Sequence, residues 1–253
     1  MNEETIYVDL IVIWLVLAVA VFVALFFFVA PYGRYIRKGW GPSINDSLGW
    51  VVMEAGSPLI FAVCFLVGTA SVTIVSLIFL ALWETHYVHR AFIYPFTRRG
   101  AKKGMSLTVL ITGFFFNLVN GYLNGRYLFT FSPGYDYTWL KDTRFIVGIF
   151  LLVSGFIINR QADTVLRNLR KPRENNYKIP YGSLYQWISC PNYLGELLIW
   201  IGWAISTWSL AGMAFAVWTA ANLVPRAWKN HRWYKEHFLE YPVERKALIP
   251  GLW

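Results

Sequence analysis

The sequence predicts an all-α integral membrane protein with seven transmembrane helices, and three observations carry that prediction. Apolar residues make up 57% of the 253 positions and charged residues 15%, against about 45–50% and 25% in ordinary soluble domains. A soluble fold of this size has too little interior to hide so much apolar surface. The second observation is the spacing of charges, which leaves uncharged stretches of membrane-crossing length along the chain. The third is the placement of Lys and Arg, which gather in alternate connections.

Leu10 to Ala30 is 21 residues without a polar side chain, about what one helix needs to cross the hydrocarbon core. It reads as a span and not as a cleaved signal peptide. Its leader is acidic (Glu3, Glu4, Asp9), and signal-peptide apolar stretches run only about 7–15 residues. Residues 39–89 carry only Asp46, Glu54 and Glu84 and have room for two spans. Gly104 to Gly125 is uncharged and makes one. Phe145 to Asn159 is uncharged and extends to about Val165. Ile179 to Pro225 holds a single charge, Glu196, and again has room for two. The expected spans are 8–30, 47–67, 70–94, 105–126, 143–165, 184–202 and 205–224, in one membrane domain over 1–253 with a cytoplasmic tail at 225–253. Gly68-Thr69 and Gly202-Trp203 are the turn candidates between paired spans.

All of the 23 Lys and Arg except Arg126, Lys141 and Arg144 fall on one side of this path. The bias puts the N-terminus outside or lumenal and the C-terminus in the cytoplasm. The +9 net charge is mostly this bias, and bases set between membrane spans do not read as a nucleic-acid surface. Cys64 and Cys190 form no CxxC, and no HExxH or paired His/Cys spacing occurs, so no metal or redox site is expected. No GxGxxG or GxxxxGK[ST] is present, which excludes a soluble nucleotide-binding fold.

Ionisable side chains inside a span are disfavoured by about 2.5 kcal/mol or more and by default suggest function. Glu54 lies in the second span, and Glu84, His86, Tyr87 and His89 in the third. Asn117, Asn120 and Asn124 share one face of the fourth, where Asn more often bridges helices than reacts. Glu84 is expected to pair with Arg90 structurally, and His86 to act as a helix contact. Asn159 with Asp163, and Asn192 with Glu196, are each four apart on one helix face near basic loops. A charged cofactor is expected there. The loops carry Arg98, Arg99, Lys102 and Lys103, then Arg167, Arg170, Lys171, Arg173 and Lys178. The tail mixes Arg226, Lys229, His231, Arg232 and Lys235 with Trp228, Trp233, Tyr234 and Phe238. Orientation bias and lipid headgroups account for many of these cations. Arg and Lys are also what a pyrophosphate and an extra ribose phosphate require.

A set of motifs narrows the reading. They are Asn159-x3-Asp163-x6-Arg170-Lys171-Pro172, Tyr177-Lys178-Ile179-Pro180, and Pro191-Asn192-Tyr193-Leu194-Gly195-Glu196. Arg226-Ala227-x3-His231-x-Trp233-Tyr234, Tyr241-Pro242, Arg245-Lys246, Leu248-Ile249-Pro250 and His86-Tyr87-x-His89-Arg90 join them. Together they resemble the steroid 5α-reductase family over nearly the whole chain, as a bacterial homologue. The resemblance implies seven helices enclosing a cofactor and substrate cavity, NADPH on the cytoplasmic side, and a steroid or other apolar enone entering from the bilayer. It places Glu54 and Tyr87 at the reacting carbonyl, with Trp50 and Met53 at the substrate. It places Arg90, Arg99, Asn159, Asp163, Arg170, Lys178, Asn192, Glu196, Arg226, Asn230, His231 and Tyr234 around the nucleotide. Met53 stands where the family pattern has Gln, and Asn230 where it has a His. A monomer among membrane lipids is expected, in a bacterial inner membrane or the endoplasmic reticulum.

Reducing an enone needs hydride at the β-carbon and neutralisation of the charge that develops on the carbonyl oxygen. A Tyr hydroxyl oriented by a carboxyl group suits the second task, and a neutral carboxyl at Glu54 would itself donate a hydrogen bond. Three rivals remain at this point. One is an S-adenosylmethionine methyltransferase of the isoprenylcysteine type, whose cofactor carries no phosphate. Another is an enoyl-thioester or polyprenol reductase, and the third is a lipid transporter, although no internal repeat is present.

Overall fold

The computed structural model describes residues 2–99, 104–170, 174 and 176–253. Lys102, Lys103, Lys171, Pro172 and Arg173, invoked above for charge or motif, lie outside the described residues. The helices in chain order are α1 (Glu3–Phe27), α2 (Asp46–Leu66), α3 (Ile74–Val88), α4 (Tyr94–Thr97), α5 (Leu107–Arg126), α6 (Thr143–Leu169), α7 (Pro191–Thr207) and α8 (Leu210–His237). A two-residue antiparallel ladder joins β1 (Ser43–Ile44) to β2 (Met105–Ser106). By length and composition, four helical segments among the described residues are fit to cross a membrane: Glu3–Phe27, Asp46–Leu66, Leu107–Phe131 and Thr143–Leu169. Helix α1 shows why: it is apolar on every side, and Val12, Val16, Val19 and Val23 are each more than half exposed. A surface of this kind is favourable against lipid and costly in water.

Helix starts follow local capping chemistry. The Asn45 side chain accepts from Leu48 N, Ser106 from Val109 N, and Ser209 from Gly212 N, each satisfying an orphan donor of the first turn. Thr73 and Ser76 form a reciprocal capping box, which delays the third helix from the expected 70 to Ile74. That helix does not stop at 94. A widened π-helical turn over His89–Ile93 carries it into α4.

Three expected boundaries are corrected. The sixth helix starts at Pro191 and not at 184. Residues Ser183–Gln186 form one tight 3-10 turn, entered through Gly182 and Ser183 at positive φ. Pro191 then takes the first helical position, where its missing N–H costs nothing. The break between the last two helices is not at Gly202-Trp203. It falls at Trp208, left-handed at φ 46°, before the Ser209 cap. The last helix does not end near 224. Pro225 removes one backbone donor but α8 runs on to His237, carrying the basic tail residues on a helix.

The chain forms two compact units. The first comprises Met1–Asp9 and Ala30–Phe145, the second Leu10–Val29 and Ile146–Trp253. In the first, α2 packs along α5 through glycines. A Cβ on Gly121 would sit 2.7 Å from Ser57 O, and one on Gly125 2.8 Å from Cys64 Cβ. Met53 Sδ occupies the notch of Gly113, 2.5 Å from where a Cβ would lie. Asn117 Nδ2 donates to Met53 O at 2.9 Å and Asn124 Nδ2 to Asn120 O at 3.0 Å. Asn117 bridges α5 to α2 as expected, whereas the Asn124 bond to Asn120 stays within α5. Tyr7 ties the start of α1 to this unit through a 2.8 Å bond from its hydroxyl to Leu123 O.

In the second unit, α6 and α7 meet at two glycine pairs. A Cβ on Gly202 would lie 2.5 Å from Gly148 O, and one on Gly195 2.7 Å from Gly155 O. The small residues let the two backbones touch, the usual means of close helix packing in lipid. Gly195→Val is expected to cost about 1–3 kcal/mol by overpacking, because its Cβ would meet Asn159 N at 2.6 Å. A thermal melt in detergent checks this, and an unchanged midpoint would show that the seam is looser than its geometry.

Candidate active site

In the first unit, α2 presents Asp46, Trp50 and Glu54 one turn apart on one face. Across from it stand Arg90, Tyr94 and Arg98, spaced alike through the π turn and α4. The two rows interleave. Arg90 Nε donates to Glu54 Oε1 at 3.3 Å, and Arg98 Nη2 lies 3.2 Å from Asp46 Oδ2. The Trp50 ring is contacted by both guanidinium groups, Arg90 at 5.8 Å and Arg98 at 5.3 Å from the ring centre. Glu54 is buried, 6% exposed, and so is Tyr87, 3% exposed. Tyr87 packs on Trp83, whose ring stacks on Phe61. Ser47 Oγ donates to Pro95 O and fixes α2 against α4.

The expected Glu84–Arg90 pair does not form, since Arg90 pairs with Glu54. Six residues along a helix turn the side chains onto different faces, and Glu84 Oε1 has no hydrogen-bond partner among the described residues. His86 is buried, and its ring meets that of its neighbour Tyr87 edge-on. Arg99 is exposed just beyond α4, whereas its neighbour Arg98 joins the row.

The second unit holds most of the other expected residues in separate hydrogen-bonded clusters. Asn159 Nδ2 donates to Asn192 O at 3.0 Å and to Glu196 Oε1 at 3.3 Å. The second oxygen of Glu196 accepts from Trp200 Nε1 at 3.2 Å. Arg160 Nη2 donates to Asn159 Oδ1 at 2.8 Å and to Asp163 Oδ2 at 3.2 Å. On α8, Arg226 Nε and Asn230 Nδ2 both donate to Tyr193 OH, at 3.2 and 3.3 Å. Asn159, Glu196, Arg226, Asn230, His231 and Tyr234 are all buried. Arg170 lies over the Tyr177 ring at 4.6 Å, and Tyr177 packs edge-on against Trp233. Lys178 is more exposed, paired with Glu174 at 2.8 Å.

Asp46, Tyr94, Arg98, Arg160, Tyr193 and Trp200 belong to these arrangements but were not among the expected site residues. The signals were present in part. Asp46 and Trp200 stand four residues from Trp50 and Glu196, on shared helix faces. Arg98 was expected only as a loop cation, because the π turn shifts the helical phase after His89.

His231 Nδ1 lies 2.6 Å from Ser189 Oγ, and the same Oγ lies 2.6 Å from Tyr241 OH. Burial, with help from Lys235 and Lys246, lowers the His231 pKa to about 4. An unfolded histidine titrates near 6.5, so the unfolded chain binds more protons in the window between. Stability from this group is full above about pH 6.5 and is lost as pH falls through about 4. His231→Gln is expected to flatten the midpoint-against-pH curve in that window. A variant curve as steep as the wild type would remove His231 from the explanation.

Residues 103–253 match the family described as 3-oxo-5-alpha-steroid 4-dehydrogenase. The chain is 36% identical to the steroid 5-alpha-reductase DET2 of Gossypium hirsutum, covering 100% of this chain and 99% of that protein. It is 41% identical to 3-oxo-5-alpha-steroid 4-dehydrogenase 1 of Bos taurus over 93% of each chain. The human protein of the same name is 39% identical over 87% of this chain and 85% of its own. These relatives are eukaryotic. With four apolar helices of crossing length, these matches identify a membrane oxidoreductase that acts on a CH–CH group, and the chain belongs to the 3-oxo-5-alpha-steroid 4-dehydrogenase family.

Proposed function

We propose that this protein uses NADPH to reduce the C4–C5 double bond of a 3-oxo-4-ene steroid or a similar lipid enone. One observation carries the reading. Asn159, Glu196, Arg226, Asn230, His231 and Tyr234 are all buried and fall within the stretch that matches the family, and the first five are hydrogen-bonded. The relatives' names supply the substrate class.

The residues present suit a phosphorylated nucleotide. Arg226, Arg170 and Lys178 bring cations, Asn192 and Asn230 bring amides, and α7 opens at Pro191 with no side-chain cap. An uncapped helix N-terminus favours anionic groups. A methyl donor without phosphates would leave this cationic set without a purpose, which disfavours the methyltransferase reading. When bound, NADPH supplies the hydride.

The first unit supplies the response to charge at the carbonyl oxygen. Tyr87 O–H donates its proton there and Glu54 orients it. Arg90 beside Glu54 is the partner an ionised carboxylate requires, so the proton-donating role rests on Tyr87 and Glu54 acts as acceptor. Trp50, held between two guanidinium groups, walls the substrate side together with Met53. The Met53 thioether, seated on Gly113, offers no strong hydrogen bond, so the hydrogen bond to the carbonyl falls to Tyr87, with Glu54 behind it. The reading keeps seven spans, an outside or lumenal N-terminus and a cytoplasmic C-terminus.

Comparing NADPH with NADH at equal concentration tests the cofactor assignment. Faster turnover with NADPH is expected, and equal rates would defeat it.

A further inference from the structure

Three side chains from separate segments converge beside the last helix. Ser189 precedes α7, His231 lies on α8, and Tyr241 lies in the segment after it. Ser189 is 4% exposed, and His231 and Tyr241 are each 6%. The Ser189 backbone is pinned in a short parallel bridge to the C-terminal segment. Ser189 N donates to Lys246 O at 2.9 Å, and Lys246 N to Trp187 O at 2.9 Å. The hydroxyl is therefore delivered to a fixed point, 2.6 Å from both His231 Nδ1 and Tyr241 OH.

The protons on this chain can be assigned. Burial raises the Tyr241 hydroxyl above the ordinary phenol value, though Ser189 and the Arg245 guanidinium offset part of the rise. Tyr241 therefore keeps its proton and donates to Ser189 Oγ. Arg245 is itself 2% exposed and stacks on the Tyr241 ring at 5.2 Å. Ser189 has one proton of its own and two acceptors in reach. Lys246 O is at 3.2 Å and already takes the Ser189 N–H, whereas the imidazole nitrogen is at 2.6 Å. The shorter contact takes the proton. A neutral imidazole that accepts at Nδ1 must carry its own proton on Nε2. Among the described residues Nε2 makes no hydrogen bond, which leaves that N–H for a ligand.

We propose that Ser189 and Tyr241 are positioning residues, whose hydroxyl chain fixes His231 as the Nε2–H tautomer and so presents a neutral donor to an acceptor atom of the nucleotide. The inference rests on the proposed nucleotide role of the second unit. Neither residue needs to touch the ligand, because each acts through the imidazole.

Nitrogen-15 NMR of histidine-labelled full-length protein in detergent reads the tautomer without any ligand. The protein has 4 His, and His231→Gln identifies the signal by its loss. A protonated Nε2 with a bare Nδ1 is expected, and a proton on Nδ1 would overturn the proposal. Tyr241→Phe removes the first donor while keeping the Ser–His contact, so a mixture of tautomers is expected there. A tautomer unchanged from wild type in that variant would exclude Tyr241 from the chain. Ser189→Ala should weaken NADPH binding about tenfold, the value of one hydrogen bond at the upper end of its range. It should raise KM for NADPH by a like factor and leave kcat within about twofold, while Ser189→Thr restores binding. An unchanged NADPH Kd in a folded Ser189→Ala protein would contradict the proposal. If the wild type binds no NADPH, the functional reading fails instead, and the tautomer measurement still decides the hydroxyl chain.

Discussion

Replacing Tyr87 by Phe should lower turnover by about 10²-fold or more while NADPH affinity stays as in the wild type. The hydroxyl is the group assigned to the developing oxyanion, so its loss raises the barrier without touching nucleotide contacts. The ring is what packs. Tyr87 is 3% exposed and tilted against Trp83 at 5.1 Å between ring centres, and Phe keeps that contact. The melt should therefore change little, which separates a chemical loss from a folding loss. Wild-type turnover in this variant would remove Tyr87 from the mechanism.

Arg90→Met should lower stability by about 3 kcal/mol, the lower end of the cost of breaking a buried ion pair. Glu54 is left behind with its side chain only 8% exposed, whereas Arg90 is 28% exposed and water softens its part of the pair. Met also gives up the guanidinium contact with the Trp50 ring. The double variant Glu54→Gln with Arg90→Met restores most of the stability, because no uncompensated carboxylate remains, but it does not restore turnover. Thermal midpoints and steady-state rates of the two singles and the double close the cycle. Additive midpoints would mean that the pair has no coupling and that its geometry is incidental.

The helical membrane class was legible because it depends on composition and charge spacing, which no tertiary contact can overrule. Caps such as Thr73 with Ser76 were also present in the sequence. Boundaries that depended on packing were not. Gly202 reads as a turn residue, yet here it buys close approach of α7 to Leu152 and Gly148, and the turn falls on Trp208. Pro225 reads as a helix end, yet α8 passes through it. Among the site residues, the four-residue spacing of Asn159 with Asp163 and of Asn192 with Glu196 pointed to shared faces. The structure joins Asn159 to Glu196 across two helices. The partner of Glu54 was not legible. Arg90 is adjacent in the motif to His89, and only the π turn brings its guanidinium to α2. Ser189 gave no signal at all, since a serine before Cys-Pro looks like loop filling until Tyr241 and His231 fold onto it.

The most direct test is NADPH consumption by the detergent-purified protein given a 3-oxo-4-ene steroid, wild type beside Glu54→Gln and Tyr87→Phe. The account predicts steroid-dependent oxidation in the wild type and its loss in both variants, with all three still binding NADPH. A wild-type protein that binds no NADPH, or variants that consume it as fast as the wild type, would contradict the account.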